Sequence, residues 1–581
     1  MDTLSYQLKE LFSEAAAEAF ADAELPSPEI TEATQERFGD YQYNSSMNLA
    51  KLLKKNPREI AAQIQEKVLE AGAEQIEKLE IAGPGFINIT LKQAALENFL
   101  QKMLTEPDLA VHKTPAGERV VIDFSSPNTA KEMHVGHLRS TIIGDALARH
   151  LEFLGYDVLR LNHVGDWGTA FGMLIAYMKQ EAKGVLEGKE ETDLSHLMAW
   201  YKASKKRFDE DPEFKKQSQL EVVELQAGNP DSIHAWEIIC EISRRSYQEI
   251  YDLLDVDLVE RGESFYNPAL PTVIDEFEKS GLVTVSDGAK CVFLEGYQNR
   301  EGNPLPLMIQ KSDGGYNYDT TDLAAIQQRL TEEKATHLIY VTDQGQATHF
   351  KMIFDAAKKI GWYDAEKIRI DHVPFGLVLG EDGKKLRTRS GETIQLMELI
   401  TKAIERAREI LKEKNPSLSE EELDTIGKAI GIGAIKYADL SINRQSDYLF
   451  SYDKMLRFEG NTAAYLMYSY VRINGIKRKS ELDLSTLLKK PHIQLNHPTE
   501  RALALQLTRF SEAVARVTKD LSPNRMTDYL YNLAEKFHAF FRDCRVVGSD
   551  EEASRLLLAE LTARTMKQGL TLLGVHPVEK M

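Results

Sequence analysis

The sequence predicts a multidomain α/β protein, with a doubly wound parallel sheet at its centre, a small α+β domain before it and an all-α region after it. Three observations predict this. From about residue 115, strand-like and helix-like runs alternate, the mark of a parallel sheet with crossover helices. The first hundred or so residues instead join helical patterns to a strand–turn–strand signature. Beyond Thr393, apolar residues recur at helical spacing almost to the end. At 581 residues the chain is long enough for three or more domains with sizeable cores.

Residues 1–112 form the first domain. Helical patterns over Leu4–Ala21 and Pro57–Ala71 precede Leu79–Ile89, where Gly83-Pro84-Gly85 separates two strands. Residues 113–380 carry the parallel sheet, with strands expected at Arg119–Phe124, Val158–Leu161 and His337–Thr342. The charged stretch at about 180–265, rich in Lys, Glu and Gln, reads as a helical insertion between the halves of that sheet. Residues 381–450 hold a polar hairpin and connecting helices. Asp382-Gly383 marks its turn, and Lys384 to Arg389 its basic return arm. Residues 451–581 read as helical throughout, joined to the sheet by the segment from Gly391 to Tyr452 without a flexible linker.

Hydrophobic residues at 43% and charged residues at 28% are those of a soluble globular protein. No apolar run approaches a membrane span, and the opening Met1-Asp2-Thr3-Leu4 is not a signal peptide, so a cytoplasmic protein is expected. Cys240, Cys291 and Cys544 lie far apart without a C-x-x-C pair, which argues against a disulfide framework and a structural zinc site. A net charge of −19 opposes a nucleic-acid partner at long range but not in local contact. The segment from 451 onward is net basic, and Arg472–Lys479 is its most basic stretch.

Residues 122–137 read I-D-F-S-S-P-N-T-A-K-E-M-H-V-G-H. A strand stops at a Ser-Ser-Pro-Asn turn, and a helix is predicted to open at His134 with Leu138, Ile142, Leu147 and Leu151 on its buried face. His134 and His137 share a face of its first turn, and Gly136 leaves room for a ligand against the backbone. Free N–H groups at such a helix start favour negative charge, and two imidazoles there could neutralise a phosphate. A strand–helix junction is the setting that a nucleotide site needs.

His134-Val135-Gly136-His137 resembles the signature of class I aminoacyl-tRNA synthetases, with Val135 in place of the isoleucine. The longer run Ser126–Asp145, then Asn162–Gly168, the Tyr318/Asp322 pair, the Gln346 loop and Lys385–Gly391 are similar to the arginyl family, in its order. The resemblance thus spans nearly the whole chain. It implies a Rossmann-like catalytic domain over 113–380, an N-terminal tRNA-elbow-binding domain over 1–112 and an all-α anticodon-binding domain over 451–581. It also implies an ATP- and tRNA-dependent arginine–tRNA ligase. Such an enzyme activates L-arginine to arginyl-adenylate with release of pyrophosphate, then transfers the arginine to the 3′ terminal adenosine of tRNA(Arg). ATP with Mg2+, arginine and tRNA(Arg) are the expected ligands of a monomer, with no structural metal and no membrane.

The resemblance places the chemistry on Lys131, His134, His137, Lys385, Arg387 and Arg389. ATP would be bound by His134, Gly136, His137, His163, Gly165, Asp166 and Lys385. Thr388 falls where the class signature has its second lysine, and Lys131 is placed to supply the missing charge. Arginine recognition needs acceptors, because a guanidinium offers five donors in a planar fork. Asp123 and Asp322 are the candidate carboxylates, with Tyr318 on the same helical face as Asp322, and Ser125, Asn128, His134 and Gln346 would complete the pocket. Two acidic candidates argue against an acidic amino acid as substrate, and Tyr318 suits a planar fork better than the point charge of lysine. Contact with tRNA is expected at Asp40, Tyr41, Gln42, Asn44, Lys51, Lys54, Arg472, Lys477 and Arg478. The rival reading, a nonenzymatic RNA-binding descendant, would be expected to have lost His134, His137 or Lys131; all three are present.

Overall fold

The computed structural model describes residues 3–114, 117–386 and 394–581; Arg387, Thr388 and Arg389 of the basic arm lie outside them. The chain divides into two compact units, Pro115–Leu456 and a second made of Met1–Thr114 with Arg457–Met581.

In the unit Pro115–Leu456, five parallel strands run in the order Arg369–Phe375, His337–Asp343, Arg119–Asp123, Asp157–Asn162 and Val259–Glu260. Val120, Val121 and Ile122 are all buried, so the first strand shows no alternation, as expected where helices cover both faces. Val121, Leu161 and Leu338 share one core with Leu323, Ile326 and Ile353. From Arg119–Asp123 the chain crosses through helix Val135–Phe153 toward Asp157–Asn162. From His337–Asp343 it crosses through helix Ala347–Lys359 the other way, to Arg369–Phe375. The two starting strands are neighbours, so their carboxyl ends frame a crevice where the winding reverses. Such a crevice is where this architecture binds ligands.

The insertion is helical, as its composition predicts. Asp193, Asp211 and Asn229 each accept first-turn N–H groups, and Pro212 and Pro230 open two of its helices. These helices close on Phe171, Leu174 and Ile175 of the helix Thr169–Glu181. A three-stranded antiparallel sheet of Val283–Ser286, Ala289–Gln298 and Pro304–Gln310 was not expected. Pro304 and Pro306 mask its last strand in the sequence; they are tolerated because that strand is an edge and its register shifts between them. The predicted turn at Asp382-Gly383 forms, with Gly383 at φ +72° and Leu379 bridged to Lys385 across it. Val378–Leu379 pairs in parallel with Tyr448–Leu449.

The second unit begins with an antiparallel sheet in the order Ile30–Glu32, Tyr41–Tyr43, Phe86–Leu91 and Ile76–Ala82, joined by helices Leu4–Ala19 and Pro57–Glu70. Helices Ala463–Lys479, Pro498–Thr508, Phe510–Asp520, Asn524–Asp543 and Glu552–Leu572 complete it. Two residues expected at the tRNA are used here instead. Arg501 donates to both oxygens of buried Asp40, at 2.9 and 2.7 Å, and the buried Tyr41 hydroxyl donates to Glu512 at 2.7 Å. The expectation for Asp40 and Tyr41 is thereby corrected: they hold the N-terminal sheet to the C-terminal helices and present no surface to a nucleic acid. Gln42 donates to Asn88 and Asn44 to Thr31, while Lys51 and Lys54 stay exposed. Among the described residues, no helix is long and apolar enough to cross a membrane.

Candidate active site

A cavity of about 910 Å³ opens at the carboxyl ends of Arg119–Asp123 and His337–Asp343. Nine of the expected residues line it: Ser125, Asn128, His134, Gly136, His137, Tyr318, Asp322, Gln346 and Lys385. Glu263 and His349 line it as well and were not foreseen. Asp123, Lys131, His163, Gly165 and Asp166 are not on its wall.

The turn after the first strand is strained. Ser125 and Ser126 both hold left-handed φ values, +71° and +48°. Side chains pin them there: the Ser125 N–H donates to Ser140 Oγ at 2.9 Å and the Ser126 N–H to Asn162 Oδ1 at 3.0 Å. The chain then lies beside Gly165, whose N–H donates to the Pro127 carbonyl at 3.0 Å. A Cβ on Gly165 would sit 2.3 Å from Asn128 Oδ1. Gly165, expected at ATP, thus makes room for Asn128.

His134 caps the helix Val135–Phe153 and does not begin it. Its Nδ1 accepts the Gly136 N–H at 3.0 Å, and His137 Nδ1 accepts the His134 N–H at 3.0 Å. The ring of His134 folds so closely over residue 136 that a Cβ there would lie 2.8 Å from its Cε1. Two consequences correct what the motif predicts. The N–H groups of Val135, Gly136 and His137 are all engaged, by Ile394, the His134 ring and the His134 carbonyl, so that turn does not offer them to an anion. Burial holds both histidines low, His137 down to about 3 with the His134 charge and Lys131 adding to it. They therefore act as neutral rings. With each Nδ1 accepting, the proton sits on Nε2, and two Nε2–H donors remain for a ligand. Lys131 stands 5.9 Å from the Tyr201 ring centre.

Tyr318 and Asp322 share the first turn of helix Tyr318–Thr331, and Tyr318 is 61% exposed. Asp322 Oδ2 accepts from His349 Nε2 at 2.6 Å. Asp123, predicted as the other carboxylate, is instead buried and paired: Arg329 Nη2 donates to its Oδ2 at 2.7 Å and Ser126 Oγ to its Oδ1 at 2.9 Å. His163 stacks on Tyr266 and lies 3.3 Å from the same guanidinium. Asp166 accepts from Ser264 N and Oγ, at 2.8 and 2.6 Å, and so fixes the loop that carries Glu263. Burial, then the charges of Asp322 and Asp166, push the Glu263 carboxyl up to about 7. No motif marks Glu263; it follows Arg261-Gly262 at the end of an edge strand that the sequence hides.

In the second unit, a cavity of about 600 Å³ is lined by Arg472, Glu535, His538 and Phe541, with the Arg472 guanidinium 4.6 Å from the Phe541 ring centre. Lys477 is tied to Glu560 at 2.6 Å, while Arg478 is exposed.

Three family models match the chain. They are the class I tRNA synthetase (R) catalytic domain over residues 99–452, the DALR anticodon binding domain over 466–581 and the arginyl tRNA synthetase N-terminal domain over 6–91. An arginine–tRNA ligase of Protochlamydia amoebophila is 60% identical, each chain covered over 100% of its length. One from a Cyanothece species is 51% identical, over 100% of this chain and 99% of its own. Among solved structures, arginyl-tRNA synthetase from Plasmodium falciparum superposes with a TM-score of 0.88 at 36% identity, over 100% of both chains. That of Thermus thermophilus gives 0.80 at 25% identity, over 99% of this chain and 100% of that one.

Proposed function

The chain belongs to the class I arginyl-tRNA synthetase family, and from that membership we infer how its cavity serves an arginine–tRNA ligase. L-arginine and ATP give arginyl-adenylate and pyrophosphate; the arginine then passes to the 3′ terminal adenosine of tRNA(Arg). The observation that carries this reading is the convergence of His134, His137, Asn128, Tyr318, Asp322, Gln346 and Lys385 on one cavity.

In the first step a carboxylate oxygen of arginine attacks the α-phosphorus and pyrophosphate leaves, so the protein needs no covalent nucleophile. Positioning and charge stabilisation do the work. The Nε2–H groups of His134 and His137 donate to phosphate or ribose oxygens. Lys385 and Lys131, with Arg387 and Arg389, supply positive charge for the departing pyrophosphate. Asp322 and Tyr318 receive the guanidinium. Glu263 takes its other edge, the place that Asp123 was expected to fill. Asn128, Ser125 and Gln346 hold the amino and carboxylate ends. His163, Gly165 and Asp166 shape the wall from behind.

Magnesium is expected to accompany ATP. Among the described residues no group of three or more His, Cys, Asp or Glu side chains converges on a metal-sized space. Arg472, Arg478, Lys51 and Lys54 are the exposed cations proposed for tRNA contact, with the Arg472–Phe541 cavity suited to an unstacked base. Domain limits at 112/113 and 450/451 are supported by unit boundaries at 114/115 and 456/457. A cytoplasmic monomer is proposed, and sedimentation of the purified protein checks its oligomeric state. Aminoacylation of unfractionated tRNA with each amino acid in turn tests the whole reading: charging with arginine alone supports it, and charging with any other amino acid in place of arginine overturns it.

A further inference from the structure

His349 is a strongly basic imidazole set into the acidic wall of the cavity, and the chemistry above leaves it without a task. It lies on helix Ala347–Lys359 and faces two carboxylates of the neighbouring helix, Asp319 and Asp322, three residues apart on one turn. Its Nε2 is 2.6 Å from Asp322 Oδ2 and its Nδ1 is 3.2 Å from Asp319 Oδ1. Asp319 is anchored in turn: its Oδ2 accepts the Met308 N–H at 3.1 Å and Asn317 Nδ2 at 3.3 Å. The edge of Tyr318 packs against the imidazole, with ring centres 5.1 Å apart. Burial opposes charge on His349, but its hydrogen bonds to Asp319 and Asp322 outweigh that and raise it to about 9. Both of its nitrogens therefore carry protons at neutral pH.

We propose that His349 is a positioning residue for the amino-acid side chain, an imidazolium that ties Asp322 to the anchored Asp319 and leaves one Asp322 oxygen aimed at the guanidinium. The inference rests on Asp322 being the guanidinium acceptor. Two carboxylates on one helical turn repel, and the imidazolium set between them offsets that repulsion. It also fixes the rotamer of Asp322 by occupying Oδ2, so the incoming fork meets Oδ1 end-on and the remaining donors turn to other groups. The hydrogen bond from the Met308 backbone extends this chain of contacts to the antiparallel sheet, giving that sheet a part in specificity.

The test uses the full-length protein charging tRNA(Arg), with KM for arginine, KM for ATP and kcat measured for His349→Ala, His349→Gln, Asp322→Asn and the double variant His349→Ala/Asp322→Asn. His349→Ala is expected to raise the arginine KM by about tenfold or more, with the ATP KM and kcat nearly unchanged. His349→Gln, which keeps a donor within reach of Asp322, should fall between it and the parent. The double variant should match Asp322→Asn alone, because His349 acts only through that carboxylate. An unchanged arginine KM in His349→Ala, or additive losses in the double variant, would overturn the proposal while the Asp322 assignment stands. If Asp322→Asn itself leaves the arginine KM unchanged, the assignment fails and the proposal with it. Should His349→Ala not fold, His349→Gln compared with His349→Gln/Asp322→Asn separates the same outcomes.

Discussion

Arg329 Nη2 lies 2.7 Å from Asp123 Oδ2, so the carboxylate at the tip of the first catalytic strand is paired before any substrate arrives. Arg329 is 1% exposed. A buried charge of this kind is costly when its partner is removed. Asp123→Asn should therefore lower stability by about 3–5 kcal/mol, read as a fall in the urea midpoint. Asp322→Asn should instead weaken arginine binding by about 1.5–3 kcal/mol with ATP binding nearly unchanged. A stable Asp123→Asn protein with a raised arginine KM would return Asp123 to the pocket.

Glu263 should give the proposed arginine pocket a pH dependence. Its carboxyl is held near 7 by burial and by neighbouring carboxylates, and a guanidinium binds its ionised form. Arginine affinity should thus be weak at pH 6, improve as pH rises through 7, and level off near 8. Glu263→Gln should raise the arginine KM at pH 8 and flatten its change between pH 6 and 8. Identical profiles for the two proteins would remove Glu263 from recognition.

Lys131 is proposed to act chiefly as pyrophosphate departs. Lys131→Ala should depress the activation rate far more than it alters arginine affinity, since its charge acts chiefly in the transition state. Thr388→Lys in that background should restore part of the rate. A normal rate for Lys131→Ala, with no effect of the added lysine, would assign the charge to Lys385, Arg387 and Arg389 alone.

Pyrophosphate exchange should stay near background with arginine and ATP until tRNA(Arg) is added. The resemblance to the arginyl family implies this dependence, and Tyr318, exposed in the cavity, is a ring that an incoming tRNA end could order. Brisk exchange by ribonuclease-treated enzyme would sink this expectation and leave the arginine assignment standing.

The Arg501–Asp40 pair predicts a stability effect separate from chemistry. Arg501→Ala would leave Asp40 buried without its guanidinium, costing about 3–5 kcal/mol in the unit formed by Met1–Thr114 and Arg457–Met581. The urea transition of that unit should shift while the arginine and ATP KM values stay close to those of the parent.

The sequence by itself determined the parallel sheet, the helical insertion and the Asp382-Gly383 turn through local signals, namely strand runs, caps and turn residues, while nine of the residues that meet in one cavity were expected from its resemblance to the arginyl family. It missed the antiparallel sheet because Pro304 and Pro306 interrupt the period of its edge strand. What only the tertiary structure decided is which polar groups are already taken. Asp123 and Asp322 look alike as strand-end and helix-turn carboxylates, yet Arg329, 206 residues further along the chain, neutralises the first, while His349 holds the second at one oxygen only. Asp40 and Tyr41 read as surface residues until helices more than 400 positions later close over them. His134 and His137 read as cations until burial and backbone caps make them neutral donors. Pattern fixes where a side chain sits on its own element. Its partner, its burial and hence its charge come from segments brought beside it by the fold.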